Sequence, residues 1–386
     1  MKVNAVPMNQ NLWTKGFKTG VVIIAIGLVF TIYRFIFGIG AVTNLSDGVP
    51  WGIWIAFDVV TGIALAASGF TTAALVYIFN KGQYSSLVRP ALLTALLGYG
   101  VAGFSIVLDV GRWWQIYNPI LPSSWQGNSP LFEVSICVMS YLTVLTIEFL
   151  PVLTEKFVKN DDGLLKRISL KLEPILNKSL IFFIILGVVI STLHQSSLGS
   201  VMIVAVARIH PLWHSAWLPF LFLVSAIAVG FPVLAIESYY SSKAFNRKFE
   251  TQLLARLLKI TPWILGIYLV FRLGDIIITG KIGLIFSSIW GLVFLAELAL
   301  FAIIPMYLIL KSSSRNSKSG IMTASWMIIA GLIMNRFNTY LVTYEPRPGW
   351  DYFPSVGELA ITAMLVSVLF VGYKILANYF PVLSKE

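Results

Sequence analysis

A single cysteine, Cys137, and three histidines are all that this chain of 386 residues offers as soft metal ligands. Cys137 sits inside an apolar run, which excludes a disulfide and an iron–sulfur ligand set. A membrane haem takes two histidines from facing helices. Here His194 stands near a span end, while His210 and His214 flank Pro211 in a connection, where proline interrupts the helix that would align them. No haem is expected. Charge is equally scarce, at 12% of residues against 57% hydrophobic. A chain this apolar does not make a soluble globule; it reads as a polytopic membrane protein. The alternating decamers of a barrel are missing, so the spans are helices. No small-residue cleavage site follows Lys2, Lys15, Lys18 and the first apolar run, so no cleaved signal is expected.

What is present is a series of about ten runs long enough to cross a bilayer. They cover residues 17–38, 51–79, 90–110, 130–152, 178–198, 216–240, 255–279, 283–310, 320–341 and 355–378. The expected fold class is all-α, in a single integral membrane domain. Residues 51–198 and 216–341 are drawn as two four-helix bundles, with 17–38 and 355–378 as flanking helices. Connections are short except after the fourth span, and no soluble domain is inserted. The net charge of +11 raises nucleic acid as a partner, but its placement decides otherwise. Arg112, Arg208, Lys281 and Arg347 fall on one side, and Arg34, Arg272 and Arg336 lie in or near spans. The remaining basic residues, including Lys156, Lys159, Lys166, Arg167, Lys171 and Lys178, share the side of both termini. By the positive-inside rule the termini are cytoplasmic, in the inner membrane.

The second span, GVPWGIWIAFDVVTGIALAASGF, organises the rest. Asp58 lies roughly 10 Å below the interface at 1.5 Å per residue, and an intramembrane acid is a functional-site hypothesis by default. Gly62, Ala66, Gly69 and Ala73 follow as a small-residue stripe on which another helix can pack closely. Chain direction puts Asp58, Asp109, Arg112, Glu133 and His194 at one depth under the outer face. Arg112 pairs with Asp109 if the third helix continues that far. Trp51, Trp54, Trp113, Trp114 and Tyr117 rim this pocket, with an ordinary interfacial aromatic belt as the plainer explanation.

A second polar set leads toward the other face. Glu133 and Glu148 lie on one helix, about 22 Å apart along the axis and about 60° around it, and Tyr99 is placed to bridge them. Glu148 at the inner interface and Tyr99 as a packed aromatic are the alternatives. Glu237, Arg272, Asp275, Glu297, Arg336 and Glu358 continue the pattern in the second half. Neither half shows a metal site.

The runs GVPWGIWIAFDVVTGIALAASGF, LDVGRWWQIYNP, SPLFEVSICVMSYL, LHQSSLGS, NRFN and YFPS resemble the membrane subunits of the polysulfide reductase (NrfD-like) superfamily, in its ten-span HybB-type branch. The resemblance implies a menaquinone-type quinone as substrate and no haem or cluster in this chain. It also implies a ferredoxin-like iron–sulfur subunit on the outer face, leading to a catalytic or cytochrome subunit. Quinone conversion needs two electrons and two protons, with donors close to the ring oxygens. Asp58, Glu133 and His194 are the expected proton groups; Asp58, Asp109, Arg112, Trp51, Trp54 and His194 are the expected binding groups. Tyr99, Glu133, Glu148, Glu237, Arg272, Asp275, Glu297 and Arg336 are the candidates for a proton path. A secondary transporter or proton-conducting subunit is the alternative, although no broken span at the midplane is evident; Pro232 and Pro305 suggest only kinks.

Overall fold

Among the described residues, ten helices long and apolar enough to cross a membrane follow one another along the chain. They are α1 (Lys15–Phe37), α2 (Trp54–Ile78), α3 (Gly82–Asp109), α4 (Pro130–Lys159) and α5 (Leu164–Ile203), then α6 (Leu218–Ala244), α7 (Thr251–Ile278), α8 (Ile289–Leu310), α9 (Lys318–Val342) and α10 (Val356–Tyr379). The structure, a computed structural model, describes residues 5–160, 163–205, 208–346 and 348–384. Lys2 and Arg347 of the charge argument lie outside the described residues. The protein is an integral, multi-pass membrane protein; helices close every backbone hydrogen bond within the segment, as a lipid environment demands.

Neighbours in sequence are neighbours in space. Helix α2 packs on α3, α3 on α4, α4 on α5, and α5 returns to α2; a second circuit runs from α6 through α7, α8 and α9 back to α6. Helix α2 also packs against α6 and α9. Helix α10 lies along α1 and α3 and touches the head of α2. The small-residue stripe of α2 faces α3: a Cβ on Gly98 would stand 2.8 Å from the Ala66 methyl. Any side chain there would push the two helices apart.

The first and last described segments of the chain meet. Strand β1 (Ala5–Val6) pairs antiparallel with β2 (Leu383–Ser384), and the Asn378 side chain bonds both the N–H and the carbonyl of Gln10, at 2.7 and 3.1 Å. This side is called the terminal face below, and the other the opposite face.

The long connection expected after the fourth span is instead helical. The fourth helix runs on to Asn160 and α5 begins at Leu164. At 1.5 Å per residue, the 40 residues of α5 extend about 60 Å, twice a hydrocarbon core of about 30 Å. Lysine-rich sequence reads as a loop, but Lys, Leu and Glu are good helix formers and the segment has a partner helix to lie against. Glu155 anchors its base, accepting from Arg89 and Lys159 at 2.7 Å each.

Candidate functional site

The first two turns of α2 are wound as a π-helix, Trp54–Thr61. Widened turns of this kind often occur at functional sites, and this one carries Asp58 into the interior. The Asp58 side chain is buried, and its Oδ2 accepts from the Thr362 hydroxyl of α10 at 2.7 Å. Asp58 borders a cavity of about 450 Å³. The volume falls in the range of small-molecule sites. Its walls are apolar: Gly62 and Ala66 of α2, Val101 of α3, Val233 of α6, Ile333 of α9 and Val366 of α10.

A second carboxyl group lies at the other end. Glu237 of α6 also borders the cavity, accepting from Thr94 Oγ1 at 2.9 Å and Tyr373 OH at 2.7 Å. Thr362 and Tyr373 both belong to α10, eleven positions apart, which returns them to the same face after about three turns. One helix thus holds both carboxyl groups, about 16 Å apart along its axis. Helices α9 and α10 each rest on α2 and form no substantial interface with one another. Trp326 and Phe370, which line the cavity between them, are 45% and 65% exposed. The cavity therefore reaches the surface that faces lipid.

Of the residues expected in one outer pocket, only Asp58 borders this cavity. Helix α3 ends at Asp109, so Arg112 is not carried back over it; Arg112 is exposed, and among the described residues no ion pair joins the two. Arg34 lies at this end instead, donating to the carbonyls of Leu108 at 2.8 Å and Val110 at 2.6 Å, while Asp109 Oδ1 has no partner. Trp54 is fully buried and donates to the Glu358 carbonyl at 3.2 Å, while the Trp51 ring lies tilted against Tyr340 at 6.2 Å. Glu133 sits half-buried in the first turn of α4. Glu358 closes a capping box with Ser355 and accepts from Tyr352 OH at 2.7 Å. Burial and that carboxylate push the Tyr352 phenol above its ordinary pKa.

His194 is the largest departure in depth. Because α5 continues to Ile203 rather than stopping near residue 198, His194 lies about 13 Å below that end and is fully buried. Its ring stands 5.4 Å from Tyr99, which in turn packs on Tyr141 at 4.5 Å. Neither His194 nitrogen has a partner, and Gln195 Oε1, Ser68 Oγ and Thr72 Oγ1 are also unsatisfied. Buried polar atoms are rarely left so. Glu148 belongs to this interior: its Oε1 would stand 2.8 Å from a Cβ on Gly187 of α5, beside Tyr141.

The second circuit holds a different set. Glu297 Oε2 accepts from Trp213 Nε1 at 2.7 Å and Asn338 Nδ2 at 2.6 Å, and Oε1 accepts from Asn335 at 2.7 Å. Arg336 donates to Asn335 Oδ1 and Ser225 Oγ, both at 2.8 Å, and stacks on Phe222. Arg272 does not pair with Asp275; it lies over the Phe294 ring with all three nitrogens unpartnered. The cation nearest Asp275 is Lys281, at 4.0 Å.

The residues missed from sequence are the hydroxyls Thr94, Thr362 and Tyr373. The shared helical face of Thr362 and Tyr373 is a signal for those two; it does not mark Thr94, on another helix.

The sequence profile of the family described as Polysulphide reductase, NrfD matches residues 41–343. The chain is 35% identical over 365 residues to the Probable Ni/Fe-hydrogenase 2 b-type cytochrome subunit of Escherichia coli (strain K12), covering 94% of this chain and 90% of that protein. It is 27% identical over 378 residues to the Menaquinone reductase, integral membrane subunit of Nitratidesulfovibrio vulgaris (strain Hildenborough), covering 90% and 87%. An Hdr-like menaquinol oxidoreductase integral membrane subunit of Archaeoglobus fulgidus is 25% identical, with 86% of each chain covered. The words "b-type cytochrome" imply haem for the first of these. The histidines here do not fit one: His214 Nε2 lies 3.4 Å from the Ile203 carbonyl, nine residues past His194 on the same helix. His210 Nδ1 accepts from the Leu212 N–H at 3.3 Å, in the connection. No two of them face each other across helices.

Proposed function

The chain belongs to the polysulphide reductase NrfD family, and from that premise we propose that it is the quinone-interacting membrane subunit of a multi-subunit respiratory redox complex. The observation that carries this reading is the apolar cavity with buried Asp58 at one end and an edge open to lipid. A quinone is a flat ring with two polar oxygens on a long apolar tail. The cavity offers apolar walls for the tail and a carboxyl for the ring. Thr362 occupies one Asp58 oxygen, leaving Oδ1 for a ligand. As an acid, Asp58 donates to a quinone carbonyl; as a carboxylate, it accepts from a quinol hydroxyl. That is the behaviour of a general acid–base group.

Electrons reach the ring from a ferredoxin-like iron–sulfur subunit docked on the opposite face. Between α3 and α4 that face presents Trp114, Tyr117 and Trp125, each more than half exposed. Aromatic residues of this kind are enriched at interfaces. The basic helical extension and both termini then face the cytoplasm by the positive-inside rule. We group α2 to α5 and α6 to α9 as two bundles, with the unsatisfied interior around Tyr99, Glu148 and His194 as the place for waters that pass protons. Arg272 and Asp275 mark the corresponding place in the second bundle.

The test is quinone analysis of the purified complex together with quinol-analogue oxidation by the Asp58→Asn variant. Copurifying quinone, and turnover reduced at least a hundredfold in an assembled complex, supports the reading. Absence of quinone with full activity in the variant overturns it and favours transport without quinone chemistry.

A further inference from the structure

The two ends of the cavity are not equally reachable from the lipid. Asp58 is one turn inside the opposite-face end of α2, whereas Glu237 lies two turns from the terminal-face end of α6, about 10 Å deep. The exposed rings that border the cavity, Tyr240, Trp326 and Phe370, all belong to the Glu237 half. A shallow surface depression of about 530 Å³, bounded also by Lys318 and Met322, shares Tyr240 and Trp326 with the cavity. These two rings stand edge to face at 6.4 Å. A molecule leaving the bilayer past this pair meets Glu237 before Asp58.

We propose that Glu237, Thr94 and Tyr373 form a second headgroup station, which receives a quinone or quinol ring at the mouth of the cavity before it moves to Asp58. This inference rests on the quinone reading. The chemistry of the two ends is alike: a carboxyl group, buried at Asp58 and half-buried at Glu237, is fixed by a hydroxyl of α10 and flanked by apolar walls. A carboxyl group suits both redox forms, donating to a carbonyl when protonated and accepting from a hydroxyl when ionised. Thr94 and Tyr373 each give one hydrogen bond to a different oxygen of Glu237, which leaves each oxygen a further lone pair for a ligand and fixes the plane in which the carboxyl meets the ring. Between the stations the cavity presents Leu65, Ala66, Gly98 and Leu369, which offer a ring no hydrogen bond. A headgroup is too short to touch both carboxyls at once, so it occupies one or the other. The tail of a molecule at Asp58 then lies past Glu237 and out between Trp326 and Phe370.

The experiment uses the intact complex in lipid nanodiscs and a short-tailed azido-naphthoquinone as the probe, with peptide mapping after illumination. In the wild type, label is expected at both ends, around Asp58 and Thr362 and around Glu237 and Tyr373, and excess menaquinone removes both. In Asp58→Asn the label moves toward Glu237. In Glu237→Gln and in Tyr373→Phe, label at that end falls at least fivefold and the KM for a quinol analogue rises about tenfold, more than kcat changes. Wild-type label confined to the Asp58 end, with KM unchanged in both variants, overturns the second station and leaves the quinone reading standing. Absence of competable label at either end overturns both. The wild-type map needs no substitution, so it decides the matter even where a variant fails to assemble.

Discussion

Glu297 and Asp58 are both carboxyl groups buried among membrane helices, and their surroundings differ in kind. Three donors from α9 and the segment before α6 converge on Glu297, and Asn335 links it onward to Arg336, which is itself bonded to Ser225 and stacked on Phe222. Asp58 has one donor, Thr362, and an apolar cavity in front of it. A buried polar group that is fully bonded fixes helix positions and has little capacity left for a ligand. One that is bonded on one side only is costly to keep and is retained for what it does. Although Glu297 and Arg336 were expected on a proton path, the three donors on Glu297 and the bonds from Arg336 to Asn335 and Ser225 favour a structural clasp, with only Arg336 Nε left without a partner in that set.

That comparison breaks first at Glu297. Glu297→Leu leaves the Trp213 indole N–H and two buried amides without an acceptor, a loss of about 3–5 kcal/mol for a broken buried network. The expected outcome is a marked fall in the thermal midpoint of the detergent-solubilised protein and in assembled protein per membrane. Lost turnover in a fully assembled, thermally unchanged variant would return Glu297 to the proton path.

Asp58→Asn is expected to do the reverse. The Asn carbonyl still accepts from Thr362, so assembly and thermal midpoint should stay near wild type. Quinol-analogue oxidation should fall at least a hundredfold, the low end of what a positioned acid–base group contributes. A smaller effect comes from Thr362→Val, which removes the one hydrogen bond that orients Asp58. The loss of a single bond of about 1–1.5 kcal/mol corresponds to roughly a tenfold drop in kcat/KM. Equal loss in Thr362→Val and Asp58→Asn would mean that the hydroxyl itself contacts the ring.

These residues also mark how far sequence reasoning reaches. Ten spans, their order and the intramembrane acids were legible, because an apolar run and an isolated carboxylate are local signals. Partnership was not: Thr362 and Asp58 are separated by 304 positions, and periodicity identifies a face without saying which helix it meets. The tenth span therefore read as a flanking helix, although it supplies the hydroxyls for both ends of the cavity. Depth failed where hydropathy has no edge, since the LGSVMI run after His194 continues the helix without a break. Charge misled in the opposite sense around Lys166 and Lys171, where a solvated basic segment is helical. The aligned Asp109, Arg112, Glu133 and His194 shared an expected level, but a common depth does not place side chains in one cavity.

The smallest expected effect probes the Glu297 side of the comparison from its edge. His210 packs its ring on Trp213 at 5.7 Å and on Trp290 at 5.9 Å, and Trp213 is the indole that donates to Glu297. Burial holds the imidazole below its usual pKa of 6.5, with Glu345 only partly opposing the shift. Its Nδ1 accepts from the Leu212 N–H, an arrangement that requires the neutral ring. A pKa lower in the folded than in the unfolded state means that the unfolded chain binds the proton more readily. Stability from this group is therefore whole above about pH 6.5 and is lost as pH falls through the folded pKa. The thermal midpoint of the wild type should decline between pH 7 and pH 5 more steeply than that of His210→Gln, which has no titrating ring. Parallel curves would place the acid sensitivity of this region elsewhere, and a steeper curve for the variant would reverse the sign. The change should remain well below that of Glu297→Leu, because protonation disturbs the flank of the clasp and leaves its three hydrogen bonds in place.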